Sequence, residues 1–370
     1  MTAARPLLAL VLVFVGCNEF PVGSDQLDRI PYADSVTLLP DTIAGYSKYV
    51  ALGAADQMYL GEDAEYRARV LVRFPLPDTA FDSAQSMQLV LQRADSVPMS
   101  FVVRPCSTNW KIDAASWLLA DSVTHWLTPG GDYWDIDLGS GTFAEDSLVI
   151  DLDLAKLDEQ SLAAVRQNGV LIFPGDTGFA AIQSGYSEAV APRLRIDYPD
   201  DVQLVYNSVD DAHLVDTFEL GRGAGFRIGS GMAFRTYLRF SFDSIPAAAT
   251  IAEADLVFVP EVEYRRSDTL VIGVRRLLEP LSGSGRYARF GALPEAMLSY
   301  IVDPDSDSTA ILDLRELVQF WTANPDSNFG LLLVAEPEYS LMFRLGVDRV
   351  GPAAPKLKLL YVMPPEDRFH

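Results

Sequence analysis

The chain has 370 residues, 49% of them hydrophobic and 22% charged, which is a globular composition with length enough for two ordinary domains. Twenty-nine lysines and arginines against 51 aspartates and glutamates leave a formal charge of -22. A surface that negative repels phosphate backbones and anionic headgroups, which argues against nucleic acid as a partner and reads as a solubility device.

The N-terminus carries one positive charge, Arg5, then an apolar run from Leu7 to Val15, then Gly16 and Cys17. These are the parts of a secretory signal peptide over residues 1–16. The run is too short to span a bilayer, which needs about 20 apolar residues. The segment Phe14-Val15-Gly16-Cys17 resembles a lipobox, with Phe14 where Leu is usual, and the resemblance implies lipidation of Cys17. Two or more acyl chains, each buried methylene contributing about 0.8 kcal/mol, would hold the protein on a membrane by an anchor alone. Residues 17–33 then read as a polar tether. Asn18, in place of the Asp that often retains lipoproteins at the inner membrane, favours the outer membrane of a Gram-negative host.

The rest of the chain is a duplication, and repeats are sought before elements because they decide the fold. Arg69–Leu76 recurs as Arg235–Phe242, Ala84–Leu91 as Ala252–Val259, and Val149–Leu152 as Ile311–Leu314. Gly169–Phe173 recurs as Gly330–Val334, and Ala191–Tyr198 as Ala354–Tyr361. The segments are short, rich in Val, Ile, Leu, Phe and Tyr, and bounded by Gly, Pro, Asp or Ser, which is the strand signal. Arg69, Leu71 and Arg73 alternate with Val70, Val72 and Phe74, the period of a half-buried strand. One short helix per copy is expected, at Asp158–Arg166 with a stop at Gln167-Asn168-Gly169, and at Asp313–Trp321 with a stop at Asn324-Pro325. The fold expected is all-β: two tandem jelly-roll-like β-sandwich domains, each with one short helix, after a lipoprotein signal peptide. The repeat spacing puts the first domain at 34–199 and the second at 200–370.

The second copy resembles the DNRLRE family of extracellular β-sandwich modules, which overlaps the carbohydrate-binding modules of family 96. The residues that carry the resemblance are the Arg239-Phe240 strand, the Leu317-Val318-Gln319-Phe320-Trp321 helix, Asn328–Leu333, and Ala354–Leu357. The first copy keeps Arg73-Phe74, Asn168-Gly169 and Pro192-Arg193-Leu194, with Trp110 and Trp117 in the middle, but its helix lacks the Val-Gln-x-Trp pattern. The resemblance implies a sandwich displayed outside the cell beside polysaccharide-active or adhesive partners, and no enzyme activity. Fold analogy does not by itself establish a ligand.

Candidate carbohydrate contacts are the aromatic cluster Trp110, Trp117, Trp126, Tyr133 and Trp134 in the first copy, and Tyr264, Arg265, Arg266, Tyr287 and Arg289 in the second. Exposed aromatic faces with polar groups beside them hold sugars, whereas core packing competes for the same residues. Asp303, Asp305 and Asp307 alternate as a Ca²⁺ loop would, although no Gly occupies the sixth position and Leu314 stands where an EF-hand has its bidentate Glu. Asp132, Asp135 and Asp137 form a weaker group of the same kind. Cys106 has no partner once Cys17 is lipidated, and with three histidines in the chain it reads as a buried hydrophobe. No Gly-x-Ser-x-Gly elbow, zinc-binding His pair or phosphate loop is present, and no cofactor is expected. A glycosidase pair needs only two acids about 5 to 10 Å apart, so acid abundance does not bear on it. The expectation is a non-catalytic envelope protein that binds polysaccharide. The alternatives are a rigid spacer or subunit of an envelope complex and, third, a divergent lyase or hydrolase.

Overall fold

The computed structural model describes residues 33–143, 147–185, 190–218, 225–282, 288–302, 308–340 and 342–363. The signal peptide, Cys17 and the tether up to residue 32 lie outside the described residues, as do Tyr287, Asp303, Asp305 and Asp307. None of the described helices is long and apolar enough to cross a membrane.

The described chain is nearly all β. Its first strands are β1 (Ala33–Leu38), β2 (Thr42–Lys48), β3 (Gln57–Glu62), β4 (Tyr66–Arg73), β5 (Ser86–Gln92) and β6 (Met99–Pro105). There follow β7 (Gly139–Phe143), β8 (Ser147–Leu152), helix α1 (Glu159–Asn168), β9 (Val170–Pro174), β10 (Gly178–Gln183), β11 (Arg193–Tyr198), β12 (Val202–Asn207) and β13 (Asp210–Thr217). The remainder is β14 (Phe226–Ser230), β15 (Ala233–Arg239), β16 (Thr250–Phe258), β17 (Glu261–Arg265), β18 (Thr269–Arg276), β19 (Ala296–Ile301), β20 (Ala310–Asp313), helix α2 (Arg315–Ala323), β21 (Leu331–Ala335), β22 (Phe343–Val347) and β23 (Lys356–Val362).

The five repeated segments take equivalent places. β5 lies between β11 and β8 as β16 lies between β23 and β20, and β4 pairs with β9 as β15 pairs with β21. In the first sandwich the sheet β12-β11-β5-β8 faces the sheet β10-β3-β4-β9-β6-β7, with β13 alongside β4. In the second, β1-β23-β16-β20 faces β17-β22-β14-β15-β21-β18-β19, with β2 alongside β15. Alternate residues of the facing strands, such as Met99, Phe101 and Val103, fill the core between the sheets. Each helix sits where its pattern predicts. In α1 the Asp158 carboxylate accepts from Ser161 N while Ser161 Oγ accepts from Asp158 N, a reciprocal cap of two orphan donors. Gly169 ends α1 at φ 77°, and a Cβ there would lie 2.0 Å from Val72 O, so glycine is required on both counts. Its repeat partner Gly330 has φ 89°.

The strand pairing departs from the boundary that repeat spacing places between Pro199 and Asp200. That point falls in the β11–β12 hairpin, where Asp200 and Asp201 both have positive φ, and β12 and β13 pair with β11 and β4 of the first sandwich. Conversely β1 and β2 pair with β23 and β15 of the second. The first sandwich is therefore a contiguous stretch from Gln57 to Thr217. The second is closed by an arm from the N-terminal side, so the block expected as 34–199 gives its first two strands away.

Candidate functional site

Three of the candidate tryptophans are core residues, which corrects the expectation of an aromatic platform. Trp110, Trp117 and Trp126 are 1%, 2% and 5% exposed. Trp110 Nε1 donates to Asn168 O at 2.9 Å and Trp126 Nε1 to Ser116 O at 2.8 Å. Beneath them, on the outer face of β4, the guanidiniums of Arg73, Arg67 and Arg69 stack on Trp110 or Trp117 at 4.7–5.1 Å. The physical reason is that the segment between β6 and β7 folds over that face and needs large rings to exclude water from it. Tyr133 and Trp134 are half-buried. The Tyr133 ring meets Phe173 edge-on at 4.8 Å, under Arg104.

The acidic group Asp132, Asp135, Asp137 is likewise occupied by the protein itself. Asp132 accepts from Thr108 Oγ1, Leu127 N and Thr128 N at 2.8–3.0 Å, while Asp135 and Asp137 pair with Arg104 at 3.1 and 2.7 Å. Among the described residues no three His, Cys, Asp or Glu side chains converge as metal ligands. Cys106 is buried, and desolvation pushes its thiol up to about 12. His213 is fully buried on β13, edge-on to the Tyr59 ring at 5.7 Å, and burial lowers it to about 3. It is out of reach of any substrate.

The second-copy candidates lead to a different place, the junction between the sandwiches. Tyr264 on β17 packs at 4.5 Å against Tyr66 of β4, and its hydroxyl donates to Asp63 at 2.9 Å. Burial, then the Asp63 charge, push the Tyr264 hydroxyl up. Beside it Arg344, 3% exposed on its side chain, donates to Glu263 at 2.7 Å, to Tyr66 Oη at 3.1 Å and to Glu65. A buried guanidinium satisfied by two carboxylates and a phenol is costly to separate. An apolar cluster joins Tyr59, Tyr66, Phe179 and Val215 to Met232, Phe234 and Met342. These contacts pin the two sandwiches together.

At the rim of that junction lies a cleft of about 420 Å³. It is lined by Gln57, Tyr59, Ala94, Asp95 and Ala181 from the first sandwich, by Arg265 at the end of β17, and by Arg266, Ser267 and Asp268 of the β17–β18 turn. Arg266 Nη2 donates to Phe179 O at 2.9 Å and lies 3.6 Å from Asp95, whose carboxylate also accepts from Ala181 N at 2.9 Å and Val97 N at 3.2 Å. Arg265 Nη1 donates to the exposed Asp268 at 3.0 Å. The walls thus offer an amide, two guanidiniums, two carboxylates and two hydroxyls, groups that exchange hydrogen bonds with a polyhydroxylated ligand. The sequence singled out Arg265 and Arg266 but not Gln57, Tyr59, Asp95, Ser267 or Asp268. No local signal marks these, because the cleft exists only where the two sandwiches meet. No protein-family model matches the chain, and no curated protein matches it.

Proposed function

We propose that this chain is a non-catalytic, lipid-anchored protein of the cell envelope, on the outer membrane in a Gram-negative host, and that it binds extracellular polysaccharide. The observation that carries the reading is the polar cleft at the junction, held open by a pinned interface and lined by groups suited to sugar hydroxyls. The test is glycan-array binding of the soluble form from Asn18, beside Arg265→Ala with Asp268→Ala and beside Trp134→Ala. Binding lost only in the Arg265/Asp268 variant supports the cleft. Loss only in Trp134→Ala moves the site to the first copy, and no binding by any form removes the reading.

The second reading, a spacer or subunit of an envelope complex, is favoured by the burial of Trp110, Trp117 and Trp126, which leaves those rings to structural work. Silence on the array together with capture of a defined envelope protein would select it. Turnover of a polysaccharide would instead select a lyase or hydrolase.

A further inference from the structure

The second sandwich is completed by a segment that precedes the first in the chain. β1 covers β23 over six residue pairs, from Ala33↔Val362 to Leu38↔Leu357, and β2 covers β15 over seven, from Thr42↔Arg239 to Lys48↔Ala233. The β14 and β21 pairings, Gly229↔Phe234 and Thr236↔Leu333 to Leu238↔Leu331, lie on the other edge of β15, so without the arm the edge from Ala233 to Arg239 would lack a ladder partner. Val36, Leu38 and Ile43 of the arm also seal the core between the sheets. The acceptor is therefore a long strand-shaped groove, and its occupant is a named stretch of this chain, residues 33–48.

The arm is held less firmly than its counterpart in the first sandwich. β13 is buried along nearly all its length and tied to β4 by Arg73–Asp210 and Arg67–Asp216. β2 is half-buried, and among the described residues none from Thr42 to Lys48 has an ion pair. The chain then passes to β3 through residues 49–56, where Leu52 and Ala55 are buried and the Tyr49 hydroxyl donates to Asp216 at 2.6 Å.

We propose that this groove is a strand-accepting site which takes residues 33–48 from a second copy of the chain as well as from its own, so that chains at high local concentration become linked by exchanged arms. Every arm contact is the same in the two forms. Only the path of residues 49–56 and the effective concentration of the arm differ. Closure within one chain wins in dilute solution, because tethering supplies an effective concentration on the order of millimolar. Because the connection is packed, exchange takes place during folding, before residues 49–56 dock.

The test uses the full chain carrying Thr37→Cys and Lys358→Cys, facing positions on β1 and β23 that are both exposed. Two differently tagged preparations are mixed unfolded, refolded under reducing conditions at low and at high protein concentration, and then oxidised. The expected result is disulfides within single chains at high dilution, and at high concentration a fraction linking the two tags that grows at least several-fold. A control pair inside the contiguous sandwich, Gln88→Cys with Asp151→Cys on β5 and β8, stays within one chain throughout. Linkage confined to single chains at every concentration overturns the proposal, and so does equal cross-linking of both pairs, which would mean aggregation. If the cysteine variants do not fold, the unsubstituted chain decides by light scattering after refolding at high concentration. A dimer that persists on dilution supports exchange; monomer alone overturns it.

Discussion

The strands that close the two sandwiches occupy equivalent places yet are built from opposite materials. Asp210 of β13 faces Arg73, and Thr42 of β2 faces Arg239, the repeat partner of Arg73. Between the segments 34–48 and 202–216, so aligned, Ala44 and Ala212 are the one identical pair. β13 brings Asp210 and Asp216 to arginines of β4 and buries His213 where β2 has Gly45. What the ladder requires is a strand with a donor and acceptor at each step, which any sequence of adequate β propensity supplies. Side chains set only how firmly the strand is held.

That comparison is broken most directly through the apolar side chains. Leu214→Ala in β13, at a position with no exposure, is expected to destabilise by about 2–5 kcal/mol through lost burial and the cavity left behind. Ile43→Ala in β2, only half-buried, should cost about half as much, and urea denaturation followed by intrinsic fluorescence measures both. Equal costs would show that the two closures are equally firm. Next in size is Asp216→Asn, which leaves the Arg67 guanidinium without its counter-charge and should cost about 1–3 kcal/mol. Lys48→Ala, at the equivalent end of β2, half-buried and without an ion pair among the described residues, should cost less, within about 1 kcal/mol in the same assay.

A third test separates the sandwiches by pH. Folded His213 is held near 3, below the value of about 6.5 expected when unfolded, so the unfolded state binds the extra proton between those limits. Stability contributed by neutral His213 is complete above about pH 6.5 and is lost as pH falls toward 3. His213→Leu should flatten the pH dependence of denaturation between about pH 6.5 and 4.5 relative to the parent chain, and an unchanged slope would show that His213 is not buried as described. The smallest effect concerns Cys106. With its thiol pushed up to about 12 and buried, it should react with a thiol reagent only on unfolding, and stoichiometric labelling of the folded chain would contradict its placement.

Much of this architecture is legible before folding because it is local. The alternation in Arg69–Phe74 needs only a period of two, the Asp158–Ser161 cap and Gly169 stop are readable within a dozen residues, and the five repeated segments occupy matching ladders. The closing strands are not legible, since they pair with strands far away in the chain and share one residue in fifteen. The tryptophans mislead for a related reason: an aromatic that stacks on a sugar and one that stacks on a half-buried arginine of the protein have the same composition around them. Arg265 and Arg266 stood out as charged residues beside Tyr264, but their neighbours in the cleft wall, Gln57 and Asp95, come from the other copy.

The sequence by itself determined the class of structure, its duplication, the two helices and the sign of the surface, because each follows from periodicity, local backbone chemistry or a sum over residues. The tertiary structure decided which strands close which sandwich, which aromatics face water, and where polar groups from the two copies meet in one cleft. Those outcomes depend on contacts between segments far apart in the chain, and such contacts are chosen by the free energy of the whole packed molecule, not by any window of residues.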